Sequence, residues 1–138
     1  MPAGYSGTPL IQKLGIRPGM RICILKAPQG YEKTLRALPN SIKNFVGLNA
    51  DHSLDFIHFF TTELADLGKI FPKLKTALAY NGTLWISWPK KASKVLTTLN
   101  ENVVRDLGLS TGLVDVKVAA IDEIWSALKF VYRVKDRK

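Results

Sequence analysis

Gly82-Thr83-Leu84-Trp85-Ile86-Ser87-Trp88-Pro89-Lys90-Lys91-Ala92-Ser93-Lys94 is the stretch that decides the architecture, because a buried-type strand over residues 83–88 stops abruptly at a proline and a cluster of lysines and serines. An amphipathic helix precedes it, with Asn81-Gly82 read as the intervening turn, and another helix follows. A strand so placed belongs to an open α/β sheet, in which ligands gather at strand carboxyl ends. Lys90, Lys91, Ser93 and Lys94, with Ser87 behind them, therefore form a candidate anion site. Backbone donors and the next helix start would favour a phosphate, a nucleotide or a nucleic-acid backbone there. A plain solvated loop is the competing reading of the same residues.

Toward the N-terminus, residues 55–62 read Asp-Phe-Ile-His-Phe-Phe-Thr-Thr, a compact apolar run of the kind that central parallel strands show when both faces are covered. Residues 63–78 supply a covering helix, with Leu64, Leu67, Phe71, Leu74 and Leu78 at steps of three and four. Pro72 either kinks that helix or opens a second one. Residues 21–27 form a first strand, ended by Pro28-Gln29-Gly30, and residues 31–38 a short helix carrying Leu35 and Leu38 and closed by Pro39. A polar lead with Gly4, Gly7, Pro9, Pro18 and Gly19 comes before them. Residues 44–48 make a weak strand. Only residues 49–54 then separate it from Asp55, about 20 Å of extended chain at most, which is too short for a helical crossover. The weak strand is thus an edge strand of open direction, or a loop.

Toward the C-terminus, residues 101–107 read as a helix with Thr98 or Asn100 as N-cap, Thr98-Leu99-Asn100-Glu101 fitting a capping box, and with Gly108 and Gly112 flanking its end. Residues 113–121 and 125–134 are strands joined at Asp122-Glu123, a link that permits only an antiparallel pair. The sum is a single-domain, Rossmann-like α/β fold over residues 1–138: a mostly parallel sheet with helices on both faces and a C-terminal antiparallel hairpin.

Composition agrees. At 138 residues, 46% hydrophobic and 22% charged, the chain matches one ordinary globular domain with one core. The lone Cys23 supplies neither a bridge nor a thiolate cluster, and a reducing, cytoplasmic setting is the default. Neither a signal peptide nor a membrane span is expected. A net charge of +9 would attract nucleic acid or another acidic partner, although the bases concentrate only at residues 90–94 and in the tail, residues 133–138. Oligomeric state is open.

Further candidates carry a bland reading beside the functional one. Gly30 and Tyr31 would lie beside the lysine loop if their strands are near neighbours, as ligand contacts or as a tight turn. Asp51 follows Gly30 by about twenty residues, the separation of a ribose-binding acid in dinucleotide folds. Trp85 reads as core, Trp125 as a packing anchor, and Trp88 as packing or as a ring for stacking a base. His58, inside an apolar strand, reads as a hydrogen-bonded core residue rather than a general base, and His52 as exposed in a polar loop. Two histidines without a cysteine partner make no metal site. Asp115, Asp122 and Glu123 form no catalytic pair.

The second half resembles the corresponding half of S-adenosylmethionine-dependent methyltransferases, where strand, helix, strand after a Gly turn, helix and final antiparallel hairpin recur. In that family the first strand leads into a glycine-rich loop, whereas Ala27-Pro28-Gln29-Gly30-Tyr31 offers a single glycine, so no cofactor is expected. The whole chain also resembles an uncharacterised bacterial family classed as a domain of unknown function. The matching blocks are Gly4-Tyr5-Ser6-Gly7-Thr8-Pro9-Leu10, Lys13-Leu14-Gly15-Ile16, Ala27-Pro28, Leu84 through Ser93, Gly112-Leu113-Val114-Asp115-Val116-Lys117-Val118 and Trp125-Ser126. That resemblance implies fold and membership without an activity. Its pattern commonly has a glycine after Trp-Ser and a cysteine after Lys-Val, where Ala127 and Ala119 stand here, so neither group is required chemically. The expectation is a non-catalytic domain binding an anion or nucleotide through Lys90, Lys91, Ser93 and Lys94, helped by Gly30, Tyr31 and Trp88. The alternatives are a methyltransferase with a minimal pocket at residues 27–31 and Asp51, and a nucleic-acid-binding protein. Whether any reaction is catalysed stays open.

Overall fold

The computed structural model describes residues 9–36, 38–48 and 51–138; the glycines and matching block of residues 4–8, and Asn49 of the short link, lie outside them. Six strands form one sheet in the order β2-β1-β3-β4-β6-β5. They are β1 (Arg21–Leu25), β2 (Lys43–Asn44), β3 (Leu54–Phe60), β4 (Leu78–Pro89), β5 (Leu113–Ala120) and β6 (Trp125–Tyr132). β1 to β4 run parallel, and β6 lies antiparallel between β4 and β5.

Period two divides the sheet into two packed faces. Ile57 and Phe59 of β3 with Leu84, Ile86 and Trp88 of β4 meet Leu67, Phe71 and Leu74 of α3 (Leu64–Ala77) and Val104 of α4 (Glu101–Thr111). Phe56 and Phe60 of β3 with Trp85 of β4 meet Leu10 and Leu14 of α1 (Leu10–Leu14) and Tyr31 and Leu35 of α2 (Tyr31–Leu35). The polar lead thus contains a helix, α1, which its glycines and prolines hid. It docks by its two leucines, and Trp85 Nε1 donates to Leu14 O at 3.0 Å.

Several boundaries differ from those expected. Asn81 and Gly82 lie inside β4, not in a turn, and β4 breaks register instead, pairing Leu78 with Leu54 but Thr83 with Phe56. A Cβ at Gly82 would stand 2.9 Å from Leu54 O and 3.0 Å from Asp55 O, so that glycine serves close approach to β3. Pro72 sits within one helix, α3. α2 stops at Leu35, short of Leu38, where Arg36 takes φ 64°. α4 runs on through Gly108 to Thr111 before Gly112 ends it at φ 105°. Asn100 is its N-cap, accepting from Val103 N at 2.9 Å. Thr98 caps the other helix, because its Oγ1 accepts from Leu64 N at 2.7 Å.

The weak strand is a two-residue parallel edge, β2, paired only to Arg21 and Ile22. Ile22 is level with Phe56, near the start of β3, so the chain has little distance to recover before β3. No helix is needed there.

Candidate functional site

The carboxyl ends of β1, β3 and β4 are fastened together by a buried chain of side chains. The Tyr31 hydroxyl, in the first turn of α2, is hydrogen-bonded to His58 Nδ1 at 2.6 Å, and His58 Nε2 to Ser87 Oγ at 2.6 Å. His58 and Ser87 are fully buried and Tyr31 is 3% exposed. Burial holds the imidazole far below its ordinary value, at about 3, and pushes the Tyr31 phenol up. A neutral imidazole donates through one nitrogen and accepts through the other, so one hydroxyl donates to the ring while the other accepts from it. The Phe60 ring stacks on His58 at 4.1 Å, and Tyr31 meets both rings edge-on. His58 is therefore the hydrogen-bonded core residue expected of it. β3 separates β1 from β4, so the Gly30 turn and the lysine loop are not adjacent by strand order; this chain is what links them.

Beside it opens a cleft of ≈ 550 Å³, lined by Lys26 after β1, Phe59, Phe60, Thr61 and Thr62 at the end of β3, Asp66, Lys69 and Ile70 of α3, and Trp125. It offers one carboxylate, two ammonium groups, two hydroxyls and an apolar wall. A smaller hollow of ≈ 270 Å³ lies at residues 27–33 around the Gly30 turn. Gly30 holds φ 93°, and a Cβ there would meet nothing within 4 Å. Its demand is conformational, and the space in front of the turn is open.

The lysine loop contributes no residue to the lining of the cleft or of the smaller hollow. Pro89 pairs with Trp125, and Lys90 N donates to Ile124 O at 2.7 Å, which seats the loop on the start of β6 beside the cleft. Residues Lys91–Ser93 make a short 3-10 turn, and Lys94 takes φ 62°. Lys91 and Lys94 are exposed and Lys90 is half-buried. The Ser93 hydroxyl donates to Lys90 O at 2.7 Å and accepts from Val95 N at 3.2 Å, so it braces the loop. Trp88 is 4% exposed and packs in the core beneath α3 and α4, with no ring face presented to solvent.

Asp51 belongs elsewhere. It precedes β3 and so lies at the amino end of the parallel strands, opposite the Gly30 turn. β2 also ends level with Ile22, well short of Leu25, and Phe45-Val46-Gly47-Leu48 follow it without an acid. A ribose-gripping carboxylate is therefore absent from both places among the described residues. His52, expected to be exposed, is half-buried and stacked on Tyr80 at 4.1 Å. Among the described residues no group of three or more His, Cys, Asp or Glu could hold a metal ion, and no helix is long and apolar enough to cross a membrane.

Crystal structures of S-adenosylmethionine-dependent methyltransferases superpose on nearly the whole chain. One from Aquifex aeolicus shares 14% identity at a TM-score of 0.60, covering 88% of this chain and 86% of its own. A TehB-like one from Corynebacterium glutamicum shares 11% at 0.59, covering 95% and 91%. A Burkholderia thailandensis 1,6-didemethyltoxoflavin-N1-methyltransferase, with S-adenosylhomocysteine bound, shares 11% at 0.60, covering 88% and 73%. The fold is methyltransferase-like Rossmann. At such identity the likeness concerns the fold alone. No family model and no curated protein matches the chain.

Lys26, Thr61, Thr62, Asp66, Lys69 and Trp125 escaped the sequence reading as site residues. The signal that finds them is the rule already used for Ser87 to Lys94, that ligands collect at strand carboxyl ends, applied equally to Thr61-Thr62 after the apolar run of β3.

Proposed function

We propose that this protein is an S-adenosylmethionine-dependent methyltransferase of minimal pocket, binding the methyl donor in the cleft between the carboxyl ends of β1 and β3. The observation that carries this reading is the cleft's composition at that place in the sheet: Asp66, Lys26 and Lys69 around Thr61, Thr62 and an apolar wall. The donor is an amino acid joined through a sulfonium to adenosine, so it needs a carboxylate for its ammonium, a cation for its carboxylate, hydroxyls for the ribose and an apolar surface for the base. Asp66 suits the ammonium, Lys26 or Lys69 the carboxylate, and Thr61 and Thr62 the ribose in place of the missing acid. Bound there, the donor supplies an electrophilic methyl group.

The chain's own part is positioning and electrostatics. The Tyr31–His58–Ser87 chain holds the Gly30 turn against the ends of β3 and β4, which keeps the cleft floor from reordering when ligand enters. Lys90, Lys91 and Lys94, on the loop tied to the start of β6, draw a negatively charged acceptor toward this end of the sheet. Gly30 leaves room for backbone approach, and Trp125 closes the far wall.

A second reading, anion or nucleotide binding without transfer, is favoured by two observations: the loop after β1 has one glycine, and Lys91 and Lys94 stand exposed. Calorimetry with S-adenosylmethionine and S-adenosylhomocysteine separates the two. The methyltransferase reading requires saturable binding of both, weakened at least tenfold by Asp66→Ala. Binding of nucleotides or polyphosphate alone, lost in Lys91→Ala/Lys94→Ala, supports the second reading.

A further inference from the structure

At the amino end of the parallel strands, across the sheet from the cleft described above, the α1 face carries a second hollow of ≈ 370 Å³. It is lined by the turn Arg17-Pro18-Gly19-Met20, Asp55, Asn81 and Thr83, and Lys129. The sequence singled out Pro18 and Gly19 only as a polar lead, and the proposed function uses none of these residues.

Three features there are hard to explain by folding alone. The Thr83 hydroxyl is buried and has no hydrogen-bond partner among the described residues, a costly arrangement in a finished core. Lys129 lies directly opposite Lys117 in the β5–β6 pairing, a placement of like charges that works against the sheet. Burial, Lys117 and Arg17 together hold the Lys129 ammonium below its ordinary value. The acid in the lining, Asp55, is already engaged: it accepts from Arg21 N at 2.9 Å and pairs with Arg21 Nε at 3.5 Å. Trp85, opposite Lys129 on β4, gives a hydrocarbon neighbour and no charge.

We infer that this hollow is a phosphate site, in which Arg17, Lys129 and the Thr83 hydroxyl bind a phosphoryl group from a small phosphate ester or diphosphate. An oxyanion would satisfy Thr83, offset the repulsion among Arg17, Lys117 and Lys129, and fit a volume that leaves space for only a small attached group. The hollow's position at the amino end of the strands makes it separate from the cleft that would take the methyl donor.

The test uses the full chain with inorganic pyrophosphate at constant ionic strength, read by 1H–15N correlation spectra and by thermal unfolding. The expected result is saturable shifts at the amides of Arg17, Gly19, Met20, Asn81, Thr83 and Lys129, with a melting temperature that rises by a few degrees. Lys129→Met removes the repulsion as well as the ligand contact. It should therefore melt higher than the parent without pyrophosphate and gain nothing from it. Lys91→Ala/Lys94→Ala should keep the full response. Shifts confined to residues 90–94, shifts spread evenly over the basic surface, or an equal response in Lys129→Met would each overturn the inference. Failure of S-adenosylmethionine to bind would leave these results untouched.

Discussion

His58 Nε2 on β3 lies 2.6 Å from Ser87 Oγ on β4, with both side chains fully buried, so the polar link between the central strands is sealed from water. A charged imidazole cannot be accommodated there, and that gives the first prediction its sign.

The folded-state value of His58 is about 3, against 6.5 for a free ring. Between these values the unfolded chain binds the proton and the folded chain does not, so this group's stabilisation is complete above pH 6.5 and is lost as pH falls toward 3. The expected slope is about 1.4 kcal/mol per pH unit from this ring. Urea unfolding from pH 7 to pH 4 should show it, and the Hε1 resonance of His58 should stay at its neutral position throughout. A ring that titrates near pH 6 contradicts the burial argument.

Gly108 lies inside α4, against the ring of Phe130, and a Cβ there would overlap Phe130 Cε1. Alanine in a helix interior ordinarily stabilises by about 1 kcal/mol relative to glycine. Here overpacking should reverse the sign, with Gly108→Ala costing a net of about 1–2 kcal/mol. A higher melting temperature for the variant would show that α4 and β6 do not meet as described.

Asn100→Ala should destabilise by about 1 kcal/mol through loss of the bond from Val103 N. Thr98→Val should cost a similar amount by a different route, since it uncaps α3 at Leu64. The two act on separate helices through different partners, so their effects on the urea midpoint should largely add. Strong non-additivity would mean that one cap serves both.

Lys91→Ala/Lys94→Ala should leave the melting temperature nearly unchanged, both side chains being exposed. If these lysines draw an anionic acceptor to this end of the sheet, its capture should slow, and more so at low salt. Identical salt dependence in parent and variant would remove them from the function.

Much of the fold was legible. The apolar run at residues 55–62 announced a central parallel strand because both its faces are covered, and Asp122-Glu123 announced an antiparallel return because so short a link allows nothing else. The local reading failed where tertiary contact overrode it. Asn81-Gly82 has turn chemistry, yet Gly82 serves the approach of β3; Gly108 looks like a helix stop, yet admits Phe130. The site was half legible. The lysine loop showed as a charge run, whereas Asp66 and Lys69 are ordinary surface residues of a helix until the fold brings them to one cleft with Thr61 and Thr62. Asp51 had the right separation from Gly30 in sequence and the wrong end of the sheet in space, because β2 is too short to carry the chain to the cleft.

The most direct test of the central claim is calorimetric titration of the protein with S-adenosylhomocysteine, beside the Asp66→Ala variant. One saturable site is expected in the parent, weakened at least tenfold in the variant. No heat with the parent, or equal binding by both proteins, would contradict it.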